Sequence, residues 1–261
     1  MPVVYSVPGM DRVTVREDFV YRTVDIPQGK LELKLDAYVP PGAAPGQRFP
    51  AVILISGGAV ENPDWRRVGV YTSYGRLLAA SGLVAINYQK RYQRGPEGII
   101  TGDEDTRALV EYVRQHAAEL NIDPDRLAVW GFSAGGRLLA YPLRERPPYV
   151  RAVVCFYGTM QVSAESFPEN LRSRAPDYSP LDQVSKPGKP LPAIFVGRAG
   201  LDFDTANATI DRFVQAALAQ NANIEVMNHP DGRHAFDILE ADDRSREIIR
   251  RAIEFLKASL K

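Results

Sequence analysis

Leu31, Leu33, Leu35 and Ala37 alternate with Lys30, Glu32, Lys34 and Asp36, a period of two that turns one face of an extended segment to a core and the other to water. The pattern predicts an outer, antiparallel strand. Pro40 to Gly46 ends it in a surface loop, because proline lacks the ladder donor and glycine loosens the backbone. Further on, the alternation gives way to short unbroken apolar runs at Ala51 to Ile55, Leu83 to Ile86, Leu127 to Trp130, Val150 to Phe156 and Ala193 to Val196. Such runs are buried on both faces, as in a parallel sheet. Helical stretches separate them, notably Asp103 to Leu120, Ala134 to Arg144, Thr205 to Ala219 and Asp243 to Leu260. The alternation predicts the α/β class, with a mostly parallel central sheet of about eight strands and helices on both faces.

One stretch breaks the rhythm. From Tyr157 to Pro190 the chain carries Pro168, Pro176, Pro180, Pro187 and Pro190 and shows no clear element, so residues 157–190 are expected to form a binding loop or short lid over the strand ends. There is no internal repeat, and 261 residues suit a single α/β domain spanning 1–261.

Composition narrows the function classes. With 32 basic and 32 acidic side chains, and no run of one sign, no nucleic-acid partner is expected. The single cysteine, Cys155, lies in Val153-Val154-Cys155-Phe156; it excludes an internal disulfide and reads as an inert core thiol. No apolar run approaches the roughly 20 residues of a membrane span, and Met1 to Asp18 lacks a leader's apolar stretch. A cytoplasmic protein with no membrane partner is the expectation; nothing in the sequence sets its oligomeric state.

The chemistry-bearing segment is Gly131-Phe132-Ser133-Ala134-Gly135-Gly136, between the strand ending at Trp130 and a helical run. Strand, sharp turn and helix around Gly-x-Ser-x-Gly form a nucleophile elbow, in which the serine hydroxyl stands exposed on a strained turn. A phosphate-binding turn is the bland alternative. Its second glycine would fall where Ser133 stands, and no Lys-Ser or Lys-Thr pair makes a P-loop.

Serine needs a base, and the base a carboxylate to orient it. There are three histidines. His116 shares a helical face with Leu109, Tyr112, Val113 and Leu120 and is expected at the core boundary. His229 follows the strand Ile224 to Met227 and suits a turn, whereas His234 lies in the loop before the last helix, where this topology places its base. His234 is favoured over His229. For the carboxylate, Asp202 competes with Asp204; the latter stands where it would cap the helix starting near Thr205, so Asp202 is favoured. Oxyanion donors are expected at the backbone of Ala134 and of Gly57 and Gly58, in Ser56-Gly57-Gly58-Ala59. Tyr88, Tyr92 and Tyr157 end strands and either line a substrate pocket or pack.

Together, Ser56-Gly57-Gly58, Asn87-Tyr88, Asp123-Pro124-Asp125-Arg126, the Ser133 elbow, Gly200-Leu201-Asp202 and Gly232-Arg233-His234-Ala235-Phe236 make the chain resemble the α/β-hydrolase superfamily, in particular its compact dienelactone-hydrolase-like and acetyl-esterase-like esterases. The resemblance runs from about Leu31 to the last helix. Where relatives have His-Gly-Gly-Gly, Ser56 replaces the histidine and Ala59 a glycine; where dienelactone hydrolases proper have a cysteine nucleophile, this chain has Ser133. The resemblance implies the α/β-hydrolase fold, no cofactor or metal, and serine-dependent cleavage of small carboxylic esters. Other readings are an aminopeptidase or oligopeptidase-like activity, which uses the same groups but usually needs an extra domain or a charged anchor, and a non-catalytic receptor for small molecules on the same fold.

Overall fold

The computed structural model describes residues 1–58, 64–91 and 95–261. Its strands are β1 (Thr14–Ile26), β2 (Gly29–Val39), β3 (Phe49–Ile55), β4 (Val84–Tyr88), β5 (Ile122–Phe132), β6 (Val150–Phe156), β7 (Ala193–Ala199) and β8 (Ile224–His229). They form one eight-stranded sheet in the order β1-β2-β4-β3-β5-β6-β7-β8. β1 pairs antiparallel with β2, and β2 with β4; every later pairing is parallel. The strand predicted as outer is β2; its antiparallel sense is as expected, but β1 lies outside it and forms the edge of the sheet.

The apolar runs are buried on both sides because alternate residues serve opposite faces. Ala51, Ile53, Ile55, Val129, Val153 and Val196 point to a core shared with Leu109, Val110 and Val113 of α2 (Gly95–Gln115) and Ile210 and Phe213 of α5 (Asp204–Ala219). Val52, Leu54, Trp130, Phe132, Val154 and Phe195 point the other way, onto Tyr74, Leu77 and Leu78 of α1 (Gly69–Ala80) and Ile248, Ile249 and Leu256 of α7 (Asp243–Ser259). Burying each such large side chain stabilises the fold by about 1.5–3 kcal/mol.

Several expectations need correction. β1 is the longest strand yet was not read from the pattern, because register shifts at Arg16/Phe19 and Val20/Arg22 interrupt its alternation. α2 runs Gly95–Gln115, earlier at both ends than the expected 103–120. The stretch expected as a helix from Ala134 to Arg144 is a 3-10 helix over Ser133–Leu139 and only then α3 (Ala140–Glu145). Residues 157–190 are not structureless: they hold 3-10 turns at Ala164–Ser166 and Glu169–Tyr178 and the helix α4 (Pro180–Ser185). Phe167, Ala175 and Tyr178 of this segment form a small core of their own with Ile99 and Val162. That packing anchors the segment to α2. Among the described residues, no helix is long and apolar enough to cross a membrane.

In a parallel sheet the loops leaving the carboxyl ends of the strands converge on one edge, where ligands bind. Here that edge collects Ser56 to Gly58 after β3, Ser133 after β5, Tyr157 after β6, Asp202 after β7 and the loop after β8. Tyr92 and Ala59 lie outside the described residues.

Candidate active site

Ser133 sits where β5 turns directly into the 3-10 helix, and its backbone takes a left-handed φ of 50°, a conformation disfavoured for a residue with a side chain. Tight packing beneath it fixes the bend. A Cβ on Gly135 would lie 2.6 Å from the carbonyl oxygen of Ile55 and 2.8 Å from that of Ser56, so only glycine lets the elbow press against the end of β3. The carbonyl of Ser133 accepts the Thr159 N–H at 3.1 Å, joining the elbow to the segment after β6.

The side chain of Ser133 meets His234, with Oγ 2.8 Å from Nε2. On the other side of the ring, Nδ1 lies 2.8 and 2.9 Å from the two carboxylate oxygens of Asp202. A carboxylate only accepts, so Nδ1 carries the proton and Nε2 is left to accept the serine hydroxyl. Asp202 is also held by the Phe203 N–H at 2.7 Å. The loops that bring these groups together are laced by backbone bonds: Gly200 N–H to the His229 carbonyl and Leu201 N–H to the Gly232 carbonyl, both 2.8 Å. Asn207 of α5 donates to the Ala199 carbonyl at 2.9 Å and holds the acidic loop from behind.

The competing candidates are placed elsewhere. Asp204 is exposed and is the first residue of α5; the cap position belongs to Phe203, so the expected cap is corrected by one residue. His229 is buried and bonds through Nε2 to Asp242 at 3.0 Å. His116 stacks on Tyr112, with ring centroids 3.8 Å apart. His229, Glu240 and Asp242 are close enough to share an ion, with ligand atoms within 4.8 Å of one another. Asp242 is already engaged by the Ser245 N–H, Glu240 by Arg233 and His229 Nε2 by Asp242, so the three groups are tied together without an ion.

The oxyanion expectation is partly corrected. The Gly57 N–H donates to the Tyr71 hydroxyl at 2.7 Å, so this donor is engaged by α1 and is not directed at a substrate. Gly58 takes a φ of 111°, open to glycine without strain, and lies under the indole of Trp65. Ala134 lies in the first turn of the 3-10 helix, where backbone N–H groups have no partner within the helix. Lys90, at the end of β4, donates to the carbonyl and hydroxyl of Ser56 at 3.0 and 2.6 Å; burial draws its ammonium down to about 8.

Of the tyrosines, Tyr88 is a core residue: it is buried, bonded to Thr106 at 2.7 Å and packed edge-on against Tyr21. Of the two readings open for it, packing holds and the pocket reading does not, since its hydroxyl is consumed inside the fold. Tyr157 is at the site but behind it, with its ring edge-on to His234 at 4.8 Å. Cys155 is buried and its thiol is pushed up to about 12 by that burial, which keeps it protonated and inert. The sequence reading missed Tyr71, Lys90 and Asp237. The first belongs to α1, a helix it did not identify; the last stands three positions beyond His234, where a carboxylate following the base was the available signal.

Known proteins share this architecture. Esterase LipQ of Mycobacterium tuberculosis is 29% identical over 270 residues, covering 91% of this chain and 62% of LipQ; the chain thus spans less than two thirds of that relative. Carboxylesterase NlhH of the same species is 27% identical over 241 residues, covering 80% of this chain and 72% of NlhH. The solved structure of a thermophilic esterase from Thermogutta terrifontis, Est2 with propionate bound, superposes with a TM-score of 0.74 at 23% identity over 96% of both chains, which establishes the α/β-hydrolase fold. A family model named BD-FAE matches residues 35–142. That of the dienelactone hydrolase family matches residues 91–260, a span that carries the serine elbow and both loops facing it, and the chain belongs to that family.

Proposed function

We propose that the protein is a serine hydrolase that cleaves small carboxylic esters through an acyl-enzyme, with Ser133 as nucleophile, His234 as base and Asp202 as its orienting carboxylate. The observation that carries this reading is the unbroken chain from the Ser133 hydroxyl to the His234 ring to the buried Asp202 carboxylate, with every link at 2.8–2.9 Å.

The chemistry follows from the tautomer. As Ser133 Oγ bonds to the ester carbonyl carbon, its proton passes to His234 Nε2, and Asp202 stabilises the resulting imidazolium without taking a proton. Negative charge collects on the former carbonyl oxygen and is received by the Ala134 N–H, which has no partner within the 3-10 helix. Collapse breaks the bond to the alcohol oxygen, which leaves with the proton from Nε2; water then repeats both steps on the acyl-serine. The names of LipQ and NlhH, an esterase and a carboxylesterase, support an ester as the substrate. The equal numbers of basic and acidic side chains support a small molecule over nucleic acid. The sharing of one sheet by all eight strands supports one domain, and a chain with a single buried cysteine, built without internal disulfides, fits a cytoplasmic setting.

The test is turnover of p-nitrophenyl esters of increasing acyl length by the wild type and Ser133→Ala. Serine-dependent release from at least one ester is expected. No turnover of any ester, or turnover that survives Ser133→Ala, contradicts the reading, and activity confined to aminoacyl anilides replaces it with a peptidase.

A further inference from the structure

Asp237 has no exposed surface, and an ionised carboxylate in such a place needs hydrogen-bond donors to persist. It has two. The Tyr157 hydroxyl donates to Oδ1 at 2.7 Å and the Tyr74 hydroxyl to Oδ2 at 2.8 Å. Around them lies an aromatic shell: Tyr157 packs on Phe132, Phe156 and Phe236, and Tyr74 on Trp130 and Phe132. The groups that face this carboxylate with a charge or a titratable proton are Tyr71 and Tyr74 from α1, Tyr157 after β6 and His234 from its own loop. Burial pushes Asp237 up to about 6, against the pull of the two phenols and of His234.

Tyr157 connects this buried charge to the site. Its hydroxyl is spent on Asp237, while its ring stands edge-on to the imidazole of His234, 4.8 Å between centroids at 62°. Both ends of the connection are bent backbone. Tyr157 has a φ of 39°, and Ala235, between His234 and the helix α6 (Phe236–Leu239) that carries Asp237, has a φ of 64°. Non-glycine residues hold such angles only where the surroundings over-determine them. The Val4 N–H donates to the Asp237 carbonyl at 2.8 Å and pins the same turn from the amino-terminal segment.

Resting on the hydrolase reading above, we propose that Asp237 is a positioning residue for His234: through the Tyr157 hydroxyl it fixes the ring against which the imidazole rests, and its charge favours the imidazolium formed as Ser133 attacks. The imidazole thus answers to two carboxylates, Asp202 by direct hydrogen bond and Asp237 through the Tyr157 ring and a charge interaction with His234. Protonating Asp237 removes the second influence. The acidic limb of kcat then reflects two groups, the imidazole and this carboxylate.

The test compares Tyr157→Phe, Tyr74→Phe and Asp237→Asn in kcat, KM, pH profile and thermal midpoint, using an alkyl ester followed by acid release. Tyr157→Phe keeps the ring and loses a hydrogen bond to a charged group; kcat is expected to fall about tenfold with KM within about twofold. Tyr74→Phe loses a bond of nearly equal length to the same carboxylate but packs against Trp130 and Phe132 rather than against the imidazole. It is expected to lower the thermal midpoint similarly and kcat clearly less. In Asp237→Asn the acidic limb should lose the steeper, two-proton slope of the wild type. Equal kcat losses in the two tyrosine variants, or an unchanged limb in a folded Asp237→Asn, overturn the proposal; if that variant does not fold, the tyrosine pair alone decides. Ser133→Ala is run alongside. Activity that survives it defeats the hydrolase reading itself, whereas a silent Ser133→Ala with wild-type behaviour in the other three defeats only the positioning role.

Discussion

His229, the last residue of β8, and His234, in the loop after it, each pair with a carboxylate, and the burial of the two pairs is inverted. In His234–Asp202 the carboxylate side chain is fully buried and the imidazole is 33% exposed. In His229–Asp242 the imidazole is only 4% exposed and the carboxylate 47%. Nearly equal distances thus serve opposite ends. The first pair anchors its charge inside and offers a ring nitrogen to Ser133; the second hides its ring under the loop and uses the exposed carboxylate to cap α7 through the Ser245 N–H at 2.7 Å. A His–Asp contact alone does not mark a base. What marks it is a free nitrogen turned toward a nucleophile, backed by a carboxylate that solvent does not reach.

Breaking each pair should separate the two roles. His234→Ala is expected to lower kcat by at least about four orders of magnitude on any ester, as removal of the base does in serine hydrolases. His229→Ala should keep kcat within about threefold while losing roughly 1–3 kcal/mol of stability, measured by denaturant unfolding, because a buried bonded group is lost. Next in size, Asp202→Asn is expected to lower kcat by about 10⁴-fold with little change in unfolding, since the amide favours the wrong ring tautomer.

A smaller effect belongs to Asp242. Slight burial opposes its charge, but the Ser245 N–H and His229 outweigh this and hold its carboxyl below the ordinary value of 3.8. A depressed carboxylate contributes stability that is whole above its unfolded value and is lost as pH falls through the folded one. Asp242→Ala should therefore cost about 1 kcal/mol at neutral pH through the lost cap, and its difference from wild type should close only below about pH 4, as followed by acid titration of the thermal midpoint. The smallest effect is expected from Asp204→Asn, within about twofold in kcat, because this carboxylate is exposed and touches neither ring.

Much of this was legible in the sequence because it rests on local rules. Unbroken apolar runs identify strands buried on both faces, and they located β3 to β7; the alternation at Leu31 to Ala37 identified β2, although its polar face is wet only in the first half, with Asp36 buried. Glycines around Ser133 mark a bend that larger residues would block. Chain order reduces the base to His234 or His229, and the loop position before the last helix favours His234; the geometry behind that choice comes from the bonds that join the loops, Gly200 to His229 and Leu201 to Gly232. β1 escaped notice because bulges break its period. The pocket reading of Tyr88 fails where its packing reading holds, and Tyr71 escapes notice, for a related reason: whether a strand-end or helical tyrosine faces a site or the core is set by its neighbours across the sheet. Residues 157–190 looked irregular because 3-10 turns carry little periodic signal over so few residues.

The most direct measurement is the rate of labelling by a fluorophosphonate, which reacts only with an activated hydroxyl, followed by peptide mapping in the wild type, His229→Ala and His234→Ala. A single adduct on Ser133 is expected, forming at similar rates in the first two proteins and at least about a thousandfold more slowly in the third. An adduct on another residue, or undiminished labelling of Ser133 without the His234 ring, contradicts the assignment of the exposed imidazole as the base.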